Sequence, residues 1–384
     1  MIQALRGSGA LLLGLLILTL LQTTSFMQWL LPQPALPVLS GLTLLSLVIF
    51  LLAQHVADRA DQLASQLREP LGTLVLTGSV IVIELALITS TMLAGESNPT
   101  LARDSMFSVL MIVLTGVKGI ALIVASRAQK QGRDKPMQPA DLATVNQEGA
   151  SVYINLITTM SVLVLVLPNF SQDSTEANYS LPINWLLTLV AVSLYAIFLR
   201  FQVGVYRNLF VDVPEQQAWN RLKAPETNGP IAESTKAPLL RLAGSMGLAL
   251  LVLVLIAESM GNLIEAGIHD LGLPSSLGGL LVGVLVVAPE ALNALQSAGK
   301  GEVQRSLNTL YGSSLSTLCL TVPTVLLIGE LTGTDVILGL NPMECVLLVL
   351  TLILVRPMSG RVSELDGLML LTVGVVWVAL QVVS

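Results

Sequence analysis

Two glutamates stand in the middle of long apolar runs. Glu84 lies in LGTLVLTGSVIVIELALITSTML and Glu290 in LGGLLVGVLVVAPEALNAL. Each follows a Leu-Gly pair at one spacing: Glu84 comes twelve residues after Gly72, and Glu290 twelve after Gly278. A charged side chain at the bilayer centre costs roughly 2.5–3.5 kcal/mol on insertion scales. A carboxyl persists there when protonated, paired or facing water. Two that converge are neutralised by protons or by a divalent cation, and one occupant excludes the other. That exclusivity is the chemistry of exchange between a metal ion and protons. A single membrane glutamate also serves as a packing residue bonded to a neighbour; the matched pair favours ion work.

Calcium takes about 6–8 oxygen ligands, so further oxygens are needed. The next apolar runs carry Asp104-Ser105-Met106-Phe107-Ser108 and Asn308-Thr309-Leu310-Tyr311-Gly312. Polar, hydroxyl, apolar, aromatic and small residues recur in order at an offset of 204, against 206 for the glutamates. Asp104, Ser105, Ser108, Asn308, Thr309 and Ser313 therefore join Glu84 and Glu290 as candidate cation- and proton-binding residues. The two glutamates are the expected metal ligands. Ser314 and Thr317 add hydroxyls. Asp104 has a second reading, as the ion-pair partner of Arg103. Pro289 disturbs the turn before Glu290 and frees carbonyls there; Ile83 holds the matching position. The Gly279–Gly283 spacing reads as helix contact. Glu258 reads as an interfacial acid, His55 and His269 as surface residues at the membrane edges, and Lys118 as a snorkelling side chain.

The elements that must hold these residues are membrane helices. Of 384 residues, 53% are apolar and 11% charged, where a soluble domain carries about 25% charged. That excludes a soluble enzyme, a nucleic-acid binder and a disordered chain. Cys319 and Cys345 lie in apolar runs with no metal spacing. Runs long enough to span a bilayer fall at about 10–31, 35–54, 70–94, 102–125, 150–168, 182–202, 241–262, 273–297, 303–328, 341–356 and 363–383. The first reads as an uncleaved anchor rather than a signal peptide. Residues 55–69 read as a continuation of the second span or an interfacial helix. With the N-terminus in the cytoplasm, all but one of the nineteen bases fall on the inner side, Arg103 being the exception. The expected protein is a multi-pass inner-membrane protein with its C-terminus outside.

The fold class expected is all-α and polytopic, with about eleven transmembrane helices. One extra N-terminal helix (1–34) precedes a first five-helix repeat (35–204), a cytoplasmic connecting loop (205–240) and a second five-helix repeat (241–384). An odd number of helices per repeat inverts the second copy, an architecture of secondary transporters with the site where the copies meet. The partners are the lipid bilayer, cations and protons, with no nucleic acid, and no cofactor is implied beyond the transported ion. A sodium or potassium/proton antiporter of the same fold is the alternative within transport. A cation channel is the alternative from another class, but a channel needs a ring around a pore, which inversion does not supply. No nucleophile–base set points to an enzyme.

Pro70-Leu71-Gly72 through Glu84, then Pro99-Thr100-Leu101-Ala102-Arg103-Asp104, resembles the bacterial ChaA-type calcium/proton antiporters of the calcium/cation antiporter superfamily. So do Ala288-Pro289-Glu290-Ala291-Leu292, Val303-Gln304-Arg305, Tyr311-Gly312-Ser313 and Leu320-Thr321-Val322-Pro323. The resemblance extends over roughly residues 35–384. It implies one acid from each repeat at the ion site, Glu84 and Glu290, and alternating access in which the second and seventh spans slide past the rest. It implies exchange of calcium for protons, and sodium or potassium export in this branch. Two departures stand out. Val82-Ile83 precedes Glu84 where calcium/proton exchangers often carry Gly-Asn, and Ala291 follows Glu290 where they carry His. The Pro-Glu pair resembles the sodium/calcium branch.

Overall fold

The computed structural model describes residues 9–67, 71–93, 99–130, 142–171, 179–210, 238–271, 274, 276–356 and 360–383. Most of the expected connecting loop, residues 211–237, lies outside them, as do Arg133, Lys135, Asp173 and Glu176. The helices are α1 (Ala10–Thr23), α2 (Phe26–Leu30), α3 (Ala35–Gln66), α4 (Leu71–Leu93), α5 (Leu101–Met111), α6 (Lys118–Lys130), α7 (Gln147–Ser161), α8 (Leu181–Val203), α9 (Leu239–Leu271), α10 (Ser276–Gly299), α11 (Val303–Ser316), α12 (Val322–Thr332), α13 (Pro342–Leu354) and α14 (Glu364–Val383). Eight continuous helical stretches among the described residues are long and apolar enough to cross a membrane. Ala10–Thr23, Thr77–Met92 and Pro342–Leu354 are shorter apolar helices.

Three stretches are joined through π-helical turns. Ile112–Val117 links α5 to α6, Val162–Val166 continues α7, and Thr317–Thr321 links α11 to α12. Such turns let a helix carry an extra residue without breaking, and they recur at functional sites. The only regular strands among the described residues are Ala143–Thr144 and Arg361–Val362, paired antiparallel.

The longest helices, α3 with 32 residues and α9 with 33, lie against each other. Val38 and Leu42 approach Gly267, and Ser46 approaches Met260, so the pair is antiparallel. Their shared stripe, including Val48, Ile49, Leu52, Val252, Leu253 and Ile256, is buried, while Leu36, Leu44, Leu47, Leu251 and Val254 are exposed. Exposed leucine and valine on this scale belong against lipid. Helix α3 runs unbroken to Gln66, with Val56, Ala60 and Leu63 buried. Residues 55–66 are thus a continuation of the span, and His55 is buried rather than at the surface.

Helices α5 and α10 meet at two glycines. A Cβ on Gly279 would stand 2.7 Å from the Asp104 carbonyl carbon and 2.8 Å from the Ser105 nitrogen; one on Gly283 would stand 2.9 Å from Ser108 Cβ. Only glycine permits that approach. Gly279→Ala is therefore expected to lower the melting temperature of the detergent-purified protein, with an overpacking penalty of about 1–3 kcal/mol. Gly247→Ala, where a Cβ meets nothing within 4 Å, is expected to leave it unchanged or slightly raised.

Candidate functional site

A cavity of about 550 Å³ enters the bundle between α3, α4, α8, α10 and α11. Its mouth lies at the end of the molecule where α3, α8 and α10 finish and α11 begins, marked by Asp61, Gln202, Ser297 and Arg305. Helical spacing explains which side chains face it. On α10, Glu290, Asn293 and Ser297 follow at three and seven residues, one stripe of the helix. On α11 the lining runs Asn308, Thr309, Gly312, Ser313 and Ser316 by the same rule. On α4, Thr77 and Val80 stand seven and four residues before Glu84 on one face, and Ile83 closes the inner end with Val286.

Glu290 is on the wet side of this boundary. It lines the cavity and accepts a hydrogen bond from the Ser313 hydroxyl. Pro289, inside α10, has no N–H, so the turn preceding Glu290 lacks one backbone hydrogen bond. Glu84 is on the dry side, 1% exposed. The Thr317 and Thr321 hydroxyls, at the two ends of a π-helical turn, face its carboxyl, and Glu290 is near enough to act on it electrostatically. Both hydroxyls are buried beside that carboxyl, at the margin of hydrogen-bond distance. Two hydroxyls and a carboxyl gathered with no ion-paired base among the described residues are oxygens of the kind that suit a hard cation or a proton. Among the described residues no three His, Cys, Asp or Glu side chains cluster as a metal cage. A cation here would rely on two carboxylates and neutral oxygens.

The other sequence candidates fall in three places. Asn308, Thr309 and Ser313 line the cavity with Glu290. The Asn308 side chain is engaged: its Oδ1 accepts from Gln304 Nε2 at 2.9 Å, and its Nδ2 donates to the Phe210 carbonyl at 2.6 Å. Gln304 Oε1 in turn accepts from the Asn146 N–H at 2.7 Å. This polar rim fastens residues 208–210 beside the mouth. Thr309 donates to the Arg305 carbonyl within its own helix. Ser105 and Ser108 are buried at the α5–α10 contact and are not in the cavity lining. Asp104 is also away from that lining. It pairs with Arg103 at 2.8 Å and accepts from Thr100, while Arg103 donates to the Gly339 carbonyl. The Arg103 charge is thereby neutralised where it stands.

Lys118 departs from the snorkelling expectation. It is 3% exposed; its Nζ donates to the Val355 carbonyl at 2.5 Å and stands 5.1 Å from the Tyr311 ring centroid. An ammonium at the C-terminal end of α13 meets the negative pole of that helix. Hydropathy alone does not show that a neighbouring helix ends there. Glu258 is exposed, and the His269 side chain lies outside the description. The sequence reading named Gln304 only within a motif and did not single out Thr77, Asn293 or Ser297. Counting three, four and seven residues along the helix from Glu84, Glu290 and Asn308 reaches all four.

Lys118→Met keeps most of the side-chain volume but removes the donor. The expected loss is about 1.5–3 kcal/mol, the range for a hydrogen bond to a charged group, read as a lower melting temperature in detergent. An unchanged melting temperature would show that the contact is not structural.

Residues 37–204 and 242–383 match the family described as sodium/calcium exchanger protein. The chain is 31% identical over 335 residues to the sodium-potassium/proton antiporter ChaA of Escherichia coli (strain K12), covering 86% of each chain. It is 23% identical over 289 residues to a Ca(2+)/H(+) antiporter of Synechocystis sp., covering 70% of this chain and 73% of that one. Among solved structures, native YfkE shares the fold with a TM-score of 0.68 at 17% identity, over 96% of this chain and 97% of the other. The H+/Ca2+ exchanger CAX does so with a TM-score of 0.61 at 15% identity, over 94% and 86%. The chain belongs to the sodium/calcium exchanger family, and it is a multi-pass membrane transporter of cations, not an enzyme.

Proposed function

We propose that this sodium/calcium exchanger family member is a secondary active calcium/proton antiporter, in which Glu84 and Glu290 bind either calcium or protons during alternating access. The observation that carries the reading is the approach of the two glutamates at the inner end of one cavity, beside the Thr317 and Thr321 hydroxyls. Two negative charges match one divalent ion, so at least two protons return per calcium. In the present geometry an ion enters from the mouth, meets Glu290 and Ser313, and reaches Glu84 by displacing Ile83 and Val286 or by a shift of the helices that hold them.

The same reading assigns eleven transmembrane helices: one extra helix, then two inverted five-helix repeats joined by the 205–240 loop. Three correspondences support it. The long helices α3 and α9 open the two halves; the glutamate helices α4 and α10 follow them. The π-helical turns at Ile112–Val117 and Thr317–Thr321 begin 28 residues after Glu84 and 27 after Glu290. With bases on the inner side, the cavity mouth faces the cytoplasm, the N-terminus is cytoplasmic and the C-terminus external. A second reading, sodium or potassium/proton exchange, is favoured by the 31% identity to a protein named sodium-potassium/proton antiporter.

Everted vesicles holding a preformed pH gradient test both readings. Calcium is expected to release protons, and Glu84→Gln and Glu290→Gln are each expected to abolish that release while the protein stays in the membrane. Release by sodium or potassium but not calcium selects the second reading. Calcium flux without proton movement would point to a channel. Because protons and metal compete for one site, apparent calcium affinity should fall as pH falls. Where both carboxyls take up protons, the drop approaches about two powers of ten per pH unit; a slope of one would leave a single carboxyl in the exchange.

A further inference from the structure

A second recess of about 350 Å³ lies on the outside of the bundle, near the same end as the cavity mouth. Its walls include Val152 and Leu156 of α7, Ile197 and Phe201 of α8, and Leu209 of the turn Arg207–Phe210. Asn155 and Tyr206 alone bring polar atoms to its side chains. Val152, Ile197, Phe201 and Tyr206 are exposed, and the first three stand on helices whose outer faces meet the bilayer, so the recess opens toward lipid. Two bases flank it. Arg200 stands three residues after Ile197, and Arg207 adjoins Tyr206; both are exposed, and neither is ion-paired among the described residues. Phe198 and Phe210 form the inner wall and also line the ion cavity.

We infer that this recess is a binding site for an anionic phospholipid, with an acyl chain between α7 and α8 and the phosphate at Arg200 and Arg207. The apolar walls fit a hydrocarbon chain, the arginines fit a phosphate held by charge and by hydrogen bonds, and their place at the end of a span is the depth of a headgroup. The lipid backs the Phe198–Phe210 wall, so its presence sets how firmly that side of the ion cavity is supported.

The test uses the full chain reconstituted in phosphatidylcholine vesicles with a trace of lipid carrying a photoreactive group in its acyl chain, either phosphatidylglycerol or phosphatidylcholine. Labelled peptides are mapped by mass spectrometry, a readout independent of transport. Labelling is expected to concentrate in residues 152–156, 194–201 and 206–210, and to favour phosphatidylglycerol. Ile197→Trp, which fills the recess, is expected to remove the concentrated labelling. Arg200→Gln and Arg207→Gln, both surface changes, are expected to cut the phosphatidylglycerol preference by about fivefold each, the value of one basic residue at an anionic surface. Labelling spread evenly over the lipid-facing helices, or equal for both lipids and unchanged by the arginine substitutions, overturns the site. So does cross-linking of these segments to a second copy of the chain, which makes the recess a contact between protomers.

Discussion

A carboxylate in hydrocarbon is tolerable only when something balances it, and the placement of nearly everything else in this chain follows from that constraint. Glu84 and Glu290 are carried to membrane depth by helices that otherwise hold apolar side chains. One lines the cavity and accepts from a serine hydroxyl; the other is enclosed beside two threonine hydroxyls. The other charges at depth are balanced locally. Arg103 holds Asp104, and Lys118 holds a helix C-terminus and an aromatic face. The charges settled in this way are structural, whereas Glu84 and Glu290 have hydroxyls but no ion-paired base among the described residues, which is why the proposed reading rests on them.

The scaffold serves the same end. Gly279 and Gly283 draw α5 against α10, so the helix of Glu290 is fixed against the first half of the chain. The π-helical turn at Thr317–Thr321 sets two hydroxyls toward Glu84 on a helix whose upper part lines the cavity with Ser313 and Ser316. The polar rim from Asn146 through Gln304 and Asn308 to Phe210 uses side chains that resemble ligands in sequence as fasteners in space.

Much of this was legible in the residues, and the rest was hidden for definite reasons. The membrane class came from the scarcity of charge, and the family from short motifs around Glu84 and Glu290. The pairing of Asp104 with Arg103 was visible as adjacent opposite charges. Lys118 was misread because hydropathy describes a side chain's own helix and not the end of α13 that approaches it. His55 was misread because a polar residue past the apolar run suggests an interface, whereas α3 continues and buries that face. The Asn308 contact with the Phe210 carbonyl joins residues 98 positions apart, which no local pattern encodes. Thr321 was named only within a motif; its direction depends on a π turn, whose spacing departs from the 3.6-residue rule.

Pro289 precedes Glu290, but Ile83 precedes Glu84, so the two glutamate helices differ in stiffness next to their acids. A helix lacking one backbone bond bends more readily than an intact one. If the halves trade places during transport, they act as unequal springs, and the empty carrier does not idle evenly between its two faces. A bias of about 1.4 kcal/mol suffices for a tenfold preference for one resting side. On the proposed reading, which side waits open for cargo is then set partly by a single imino acid, while the direction of net transport stays with the ion gradients.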